Sequence, residues 1–143
     1  MKIVYAESSA VLAWLLGEPQ QDSIRAVLSA ADRVVTSALT VIECSRGLAR
    51  ARELGRATES GELAALHLLD QAAASWSVLD ISDRVAQRAR GSFPREPVRT
   101  LDAIHLATAI AFNDALGDVG VLSLDARVRG NASVLGLAVE PGG

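Results

Sequence analysis

Short β-branched runs alternate with helical stretches along this chain, and that alternation limits its fold more than any other feature. The runs are Lys2–Ala6, Arg33–Ser37 (RVVTS), Ser77–Ile81 (SVLDI) and Val119–Leu124 (VGVLSL), with Leu137–Val139 as a candidate fifth. Ser8 or Ser9 caps a helix through Leu16, which Gly17 and Pro19 end. Gln20–Ala31 is a helix with Ile24, Val27 and Leu28 on one face. Thr40 starts a long helix to Leu54 that Gly55 stops, and Glu59–Ser75 spaces Leu63, Leu66 and Leu69 for a core face. Ser82 caps a helix to Arg90, and Gly91–Arg99 is a loop with two prolines. Thr100 opens the apolar helix LDAIHLATAIAFNDAL, ended by Gly117, and a weaker helix after the fourth strand is interrupted by Gly130. Strands alternating with helices predict an α/β fold with a parallel sheet and right-handed crossovers. In such sheets chemistry gathers at the carboxyl ends of the strands, where the strand order reverses.

At 143 residues, with no repeat or interdomain linker, the chain is expected to be a single domain, 1–143. Half of its residues are hydrophobic but only 3% are aromatic, so the core must come from Ala, Leu, Val and Ile. No apolar run approaches the roughly 18–20 residues of a membrane span. The first residues carry one Lys and then an acid-bearing strand, which is not a signal peptide. The lone Cys44 excludes an internal disulfide and is read as a small buried residue. A soluble cytoplasmic protein is expected. The net charge of −3 does not mark a nucleic-acid binder, yet of 14 basic residues only Lys2 is lysine. Arginine suits bidentate phosphate contacts, although genome composition explains the same bias. The motif of a P-loop, which needs its lysine, is missing, as is the distal lysine of an acid-cluster phosphoryl-accepting domain.

Four acids sit in apolar sequence instead of on polar faces: Glu7 in IVYAESS, Glu43 in LTVIECS, Asp102 in TLDAIHLA and Asp125 in VLSLDAR. If the sheet reverses between strands one and four, all four converge on one end. Each also has a structural explanation. Glu43 fits a capping box with Thr40, Asp102 suits the positive end of its helix, and Asp125 can cap the helix after it. Glu7 is the hardest to explain this way, because glutamate is a poor cap beside two serines. Four acids on one rim would repel each other unless cations neutralise them. All-oxygen ligation suits Mg²⁺ or Mn²⁺, and no Cys/His cluster has zinc spacing. His105 and His67 are both read as packed or hydrogen-bonded side chains. Arginines flank two of the acids: Arg46, Arg50, Arg52 and Arg56 after Glu43, and Arg84, Arg88, Arg90, Arg95 and Arg99 before Asp102. Arg99 is the first of these to test for a phosphate contact.

Acid-Ser-Ser-Ala after strand one, Thr-x-x-Glu on a helix, TLDAIHLATA and Ser-x-Asp after a late strand together resemble the PIN-domain ribonucleases. Within that family they look most like the toxins of bacterial VapBC toxin–antitoxin pairs. The resemblance implies a three-layer α/β/α sandwich with a central parallel sheet of four or five strands. It implies a Mg²⁺- or Mn²⁺-dependent endoribonuclease whose acidic, metal-binding site comprises Glu7, Glu43, Asp102 and Asp125, with Ser8, Ser123 and Arg99 around it. It also implies an RNA substrate, a homodimer and a VapB-type antitoxin as partner. The family pattern has aspartate at the first position, where this chain has Glu7. The extra methylene displaces the carboxylate by roughly 1.5 Å, and Mg²⁺ tolerates little distortion. Two other readings therefore stand beside the nuclease: a catalytically weakened module that binds RNA or an antitoxin, and a small phosphatase or signalling domain. The last lacks a D-x-D motif.

Overall fold

A computed structural model describes residues 1–142. They form five strands, β1 (Ile3–Ala6), β2 (Arg33–Ser37), β3 (Ser77–Leu79), β4 (Val119–Leu122) and β5 (Ala138–Glu140). Seven helices connect or flank them: α1 (Ser8–Leu16), α2 (Gln21–Ala30), α3 (Ala38–Glu53), α4 (Glu59–Ser75), α5 (Asp83–Ala89), α6 (Thr100–Leu116) and α7 (Ala126–Val134). All strand pairs are parallel, in the order β3-β2-β1-β4-β5. The order reverses between β1 and β4, which meets the condition for the four acids to converge.

β1 is the centre of the molecule, and its pleat divides the core. Ile3 and Tyr5 face one layer, with Ala103, Leu106 and Ala109 of α6 and Val128 and Ala132 of α7. Val4 and Ala6 face the other. There they meet Ala10 and Ala13 of α1, Ile24 and Val27 of α2, Cys44 of α3 and Leu69 of α4. Strand residues alternate in this way because successive side chains leave opposite faces of a strand. A sheet covered on both faces needs apolar residues throughout, and β1 and β4 are buried at every position.

The helix ends follow their caps. Thr58 accepts a hydrogen bond from Gly61 N and Ser82 one from Val85 N, starting α4 and α5. Gly17 ends α1 in the left-handed conformation, at φ 67°. Several expectations fail here. α3 begins at Ala38, capped by Ser37 and not opened at Thr40, so Thr40 and Glu43 are no capping box. The Thr40 hydroxyl instead sits 2.8 Å from that of Thr36, which donates to Ala6 O at 2.6 Å. Gly130 does not interrupt α7, which is continuous; Asn131 clamps it, accepting from Arg95 N at 2.8 Å and donating to Arg95 O at 3.1 Å. On α4, Leu63 is 62% exposed, and Ala65 and Leu69 form the buried stripe. His67 is exposed on the same helix, not packed. β3 and β4 also stop short, at Leu79 and Leu122, and Ile81 is left exposed.

Leu122 is 0% exposed at the end of β4, beside the site described below. Truncation to alanine leaves a cavity there and should cost about 2–5 kcal/mol. Urea unfolding should show it as a lower midpoint with an unchanged m-value.

Candidate active site

The carboxyl ends of β1 and β4 carry the site. Glu7 follows β1 directly, and its backbone N–H extends the ladder by donating to Leu122 O at 3.0 Å. The side chain is only 4% exposed. Contrary to expectation, Glu7 is itself the N-cap of α1, its Oε2 accepting from Ser9 N at 3.1 Å. The extra methylene that makes glutamate a poor cap is tolerated because Oε2 also accepts from the hydroxyls of Ser9 and, at 2.7 Å, of Ser123. Ser9 Oγ in turn accepts from Leu124 N at 2.9 Å, and Ser123 Oγ from Asp125 N at 3.0 Å. Thus one oxygen of Glu7 is saturated and stitches β1 to the β4–α7 turn. Among the described residues Oε1 has no hydrogen-bond donor; His105 Nε2 lies 4.0 Å from it.

Asp125 caps α7, its Oδ1 accepting from Arg127 N and Val128 N at 2.9 and 3.0 Å. Its cap role and a ligand role are compatible, because the other oxygen is uncommitted. Asp102 stands in the first turn of α6, whose N-cap, Arg99, gives no side-chain bond. Burial pushes the Asp102 carboxyl above its ordinary value, and repulsion from Asp125 and Glu7 adds to this; His105 and Arg99 oppose it. Asp125 and Glu7 are thus near enough to act on Asp102 across the site.

Glu43 arrives from the second turn of α3. Its Oε1 accepts from Ser8 Oγ at 2.6 Å and pairs with His105 Nε2. Burial alone would raise the Glu43 carboxyl, but the hydrogen bonds from His105 and Ser8 and the charge of His105 hold it below the ordinary range. His105 is 1% exposed, and its Nδ1 faces the Tyr5 hydroxyl at 2.8 Å. Tyr5 is fully buried, and desolvation followed by the charge of Glu7 pushes its phenol far up, so it stays neutral. His105 is the packed, hydrogen-bonded residue expected, but its place at the centre of the site is not visible in the sequence. Helical spacing puts it one turn after Asp102, which signals only a shared face.

Glu7, Glu43, Asp102 and Asp125 all line one open cavity of about 590 Å³, with Ser8, Ser9, Leu12, Leu101, Arg46 and Arg50 among the other walls. Ser123 lies beneath, against Glu7. Arg99 is exposed and outside the lining, whereas Arg46 and Arg50 are within it. Among the described residues no three Asp, Glu, His or Cys side chains are gathered tightly enough to hold an ion unaided. The donor set still fits a hard cation. Mg²⁺ is commonly held by one or two carboxylates, with waters and substrate phosphate completing its octahedron. Glu7 offers an oxygen with no donor, and Asp102 and Asp125 line the same cavity.

Comparison with known proteins agrees with this architecture. The PIN domain model matches residues 4–132. Ribonuclease VapC46 of Mycobacterium tuberculosis is 37% identical over 139 residues, 97% of each chain. Ribonuclease VapC35 of the same species is 29% identical over 141 residues, covering 96% of this chain and 95% of its own. Among solved structures, the Mycobacterium tuberculosis toxin VapC20, which cleaves the sarcin-ricin loop, superposes with a TM-score of 0.65 at 14% identity, over 94% of this chain and 96% of its own. VapBC2 from Rickettsia felis, bound to a promoter DNA fragment, gives 0.65 at 13% identity, over 96% and 97%. The structures share the fold, and the sequence matches carry the kinship: this chain belongs to the PIN domain family, in its VapC group.

Proposed function

We propose that the chain is a divalent-metal-dependent endoribonuclease that acts as the toxin of a toxin–antitoxin pair. The observation that carries this reading is the convergence of four acids, from four separate parts of the chain, on one cavity at the switch point of the sheet. The family relationship and the VapC ribonucleases it includes support the same activity. Glu7, Asp102 and Asp125 would hold a Mg²⁺ or Mn²⁺ ion, which when bound would neutralise charge at a phosphodiester and acidify a water for its hydrolysis.

The protein's own groups set the geometry. Ser9 and Ser123 fix one oxygen of Glu7, leaving Oε1 for the ion. The α7 cap fixes Asp125. Glu43, kept ionised by His105 and Ser8, adds a fourth negative charge to the wall. Arg99 offsets part of the charge at Asp102. No described helix is long and apolar enough to cross a membrane, and the proposed setting is the cytoplasm. A VapB-type antitoxin and a second copy of the chain are the proposed partners. The exposed Leu63 and Leu68 of α4 are apolar surface that such partners would cover.

Purified protein free of any partner should cut RNA with Mg²⁺ or Mn²⁺, and EDTA should abolish the cleavage. Asp102→Asn should lower the rate by about a hundredfold or more; cleavage indifferent to both would exclude the metal mechanism. The same variant has a signature in stability. A carboxyl raised in the folded state costs stability above its folded pKa, and the cost fades as pH falls below the unfolded value of about 3.9. Without metal, Asp102→Asn should therefore melt higher than wild type near neutral pH, and the gain should vanish in acid. Mn²⁺ should raise the wild-type melting temperature more than that of the variant. Glu7→Asp separates the active nuclease from a weakened binding module. The serine cradle matches the reach of glutamate, so the shorter side chain should lower the cleavage rate, by about tenfold to a hundredfold. A gain in rate would favour the weakened module.

A further inference from the structure

We propose that the groove between α1 and α3 is the track along which a single RNA strand approaches the acids, with Arg46 and Arg50 as its phosphate-positioning residues. The proposal rests on the ribonuclease reading above and adds the path of the substrate. The acidic cavity does not end at Glu43. It shares Leu12, Gly47 and Arg50 with a second cavity of about 380 Å³, lined also by Leu16, Ala51, Leu54, Glu18 and Arg56. The two cavities meet at Leu12, Gly47 and Arg50 and together trace the proposed channel from the acids along α3 toward its C-terminus.

Gly47 stands where the two cavities meet. A Cβ there would lie 2.6 Å from Leu12 Cδ2, so α1 and α3 approach closely at that point, and a larger residue would push Leu12 into the track. The floor is aliphatic, and the lining contains no aromatic ring to stack a base. Affinity must therefore come from the backbone charge, and recognition along this stretch from shape.

The arginines of α3 are divided accordingly. Arg52 points away and pairs with Glu62 at 2.7 Å and Glu53 at 3.2 Å. Arg46 and Arg50 line the channel, and among the described residues neither makes a salt bridge or a side-chain hydrogen bond. They stand one turn apart, about 6 Å along the helix axis, and Arg56 continues the series past the helix end. Glu18 is the single acid of the second cavity. Unpaired guanidinium groups beside an acidic site provide the positive surface that a polyanion needs to reach four carboxylates.

The test measures cleavage kinetics with Mn²⁺, and binding of a fluorescent single-stranded oligoribonucleotide to the Asp102→Asn protein, across a range of salt. Arg46→Ala and Arg50→Ala should each raise Kd and KM by about tenfold with little change in kcat. Each should also flatten the salt dependence by about 0.7 in log–log slope, the loss of one single-strand phosphate contact. Arg46→Glu with Arg50→Glu should abolish binding while circular dichroism stays that of the wild type. Arg25→Ala, on α2 and paired with Asp22, should change none of these quantities. Wild-type KM, Kd and salt slope in the double alanine variant, with the parent cleaving RNA normally, would overturn the track and leave the nuclease standing. Loss of polyglutamate binding alone, with RNA binding intact, would assign the groove to an acidic peptide and overturn it too. A parent chain that neither binds nor cuts RNA would overturn both readings.

Discussion

A nearly buried glutamate at the end of the central strand is the constraint on which the structure turns. Glu7 cannot be taken from water without compensation, and the protein supplies it on one oxygen from Ser9 and Ser123. Those donors come from α1 and from the β4–α7 turn, so compensating one charge also locks β1, α1 and β4 into register. The adjacent Ala6 carbonyl is treated the same way, receiving the Thr36 hydroxyl where the β1–β2 ladder ends. The most buried part of the sheet is thus also the most polar at its tip. The arrangement leaves a single oxygen of Glu7 for chemistry.

The opposite wall uses a different device. Glu43 is not buried in the core but is held by His105, which is itself anchored on Tyr5. Tyrosine, histidine and glutamate form a line from the sheet to the cavity, and a line of hydrogen bonds in a low-dielectric setting is stiff. Asp102 alone lacks such support and carries the electrostatic cost of its neighbours. An acidic site of this kind is destabilising in the empty protein, and the rigid scaffold around it absorbs the strain. Under the proposed function, stability and activity compete at Asp102 and cooperate at Glu7.

Much of this was legible from the chain. α4, α5 and α6 begin at Glu59, after Ser82 and at Thr100 as the sequence predicts, and at α5 the reason is a local cap that adjacent residues decide. The four acids stood out because carboxylates seldom interrupt apolar runs. Misjudged residues depended on partners far along the sequence. Glutamate beside two serines reads as a poor cap, and the Ser123 hydroxyl that makes Glu7 a workable one lies 116 residues away. His105 is packed and hydrogen-bonded as expected, but its place at the centre of the site depends on Tyr5, 100 residues distant. Leu63 satisfied a helical spacing, but α4 packs on its Ala65–Leu69 stripe, and periodicity cannot say which of two apolar stripes the sheet will cover.

Cys44 carries a practical corollary. The thiol is fully buried on α3 with Ser8 O 3.8 Å from its sulfur, and desolvation, then the charges of Glu43 and Glu7, push it up to about 12. The thiolate is the reactive form, so alkylating dyes will pass the folded chain by. A cysteine substituted at an exposed position such as Ser133 becomes its sole conjugation handle. A fluorophore or spin label can then be attached at one chosen point without first removing the native sulfur.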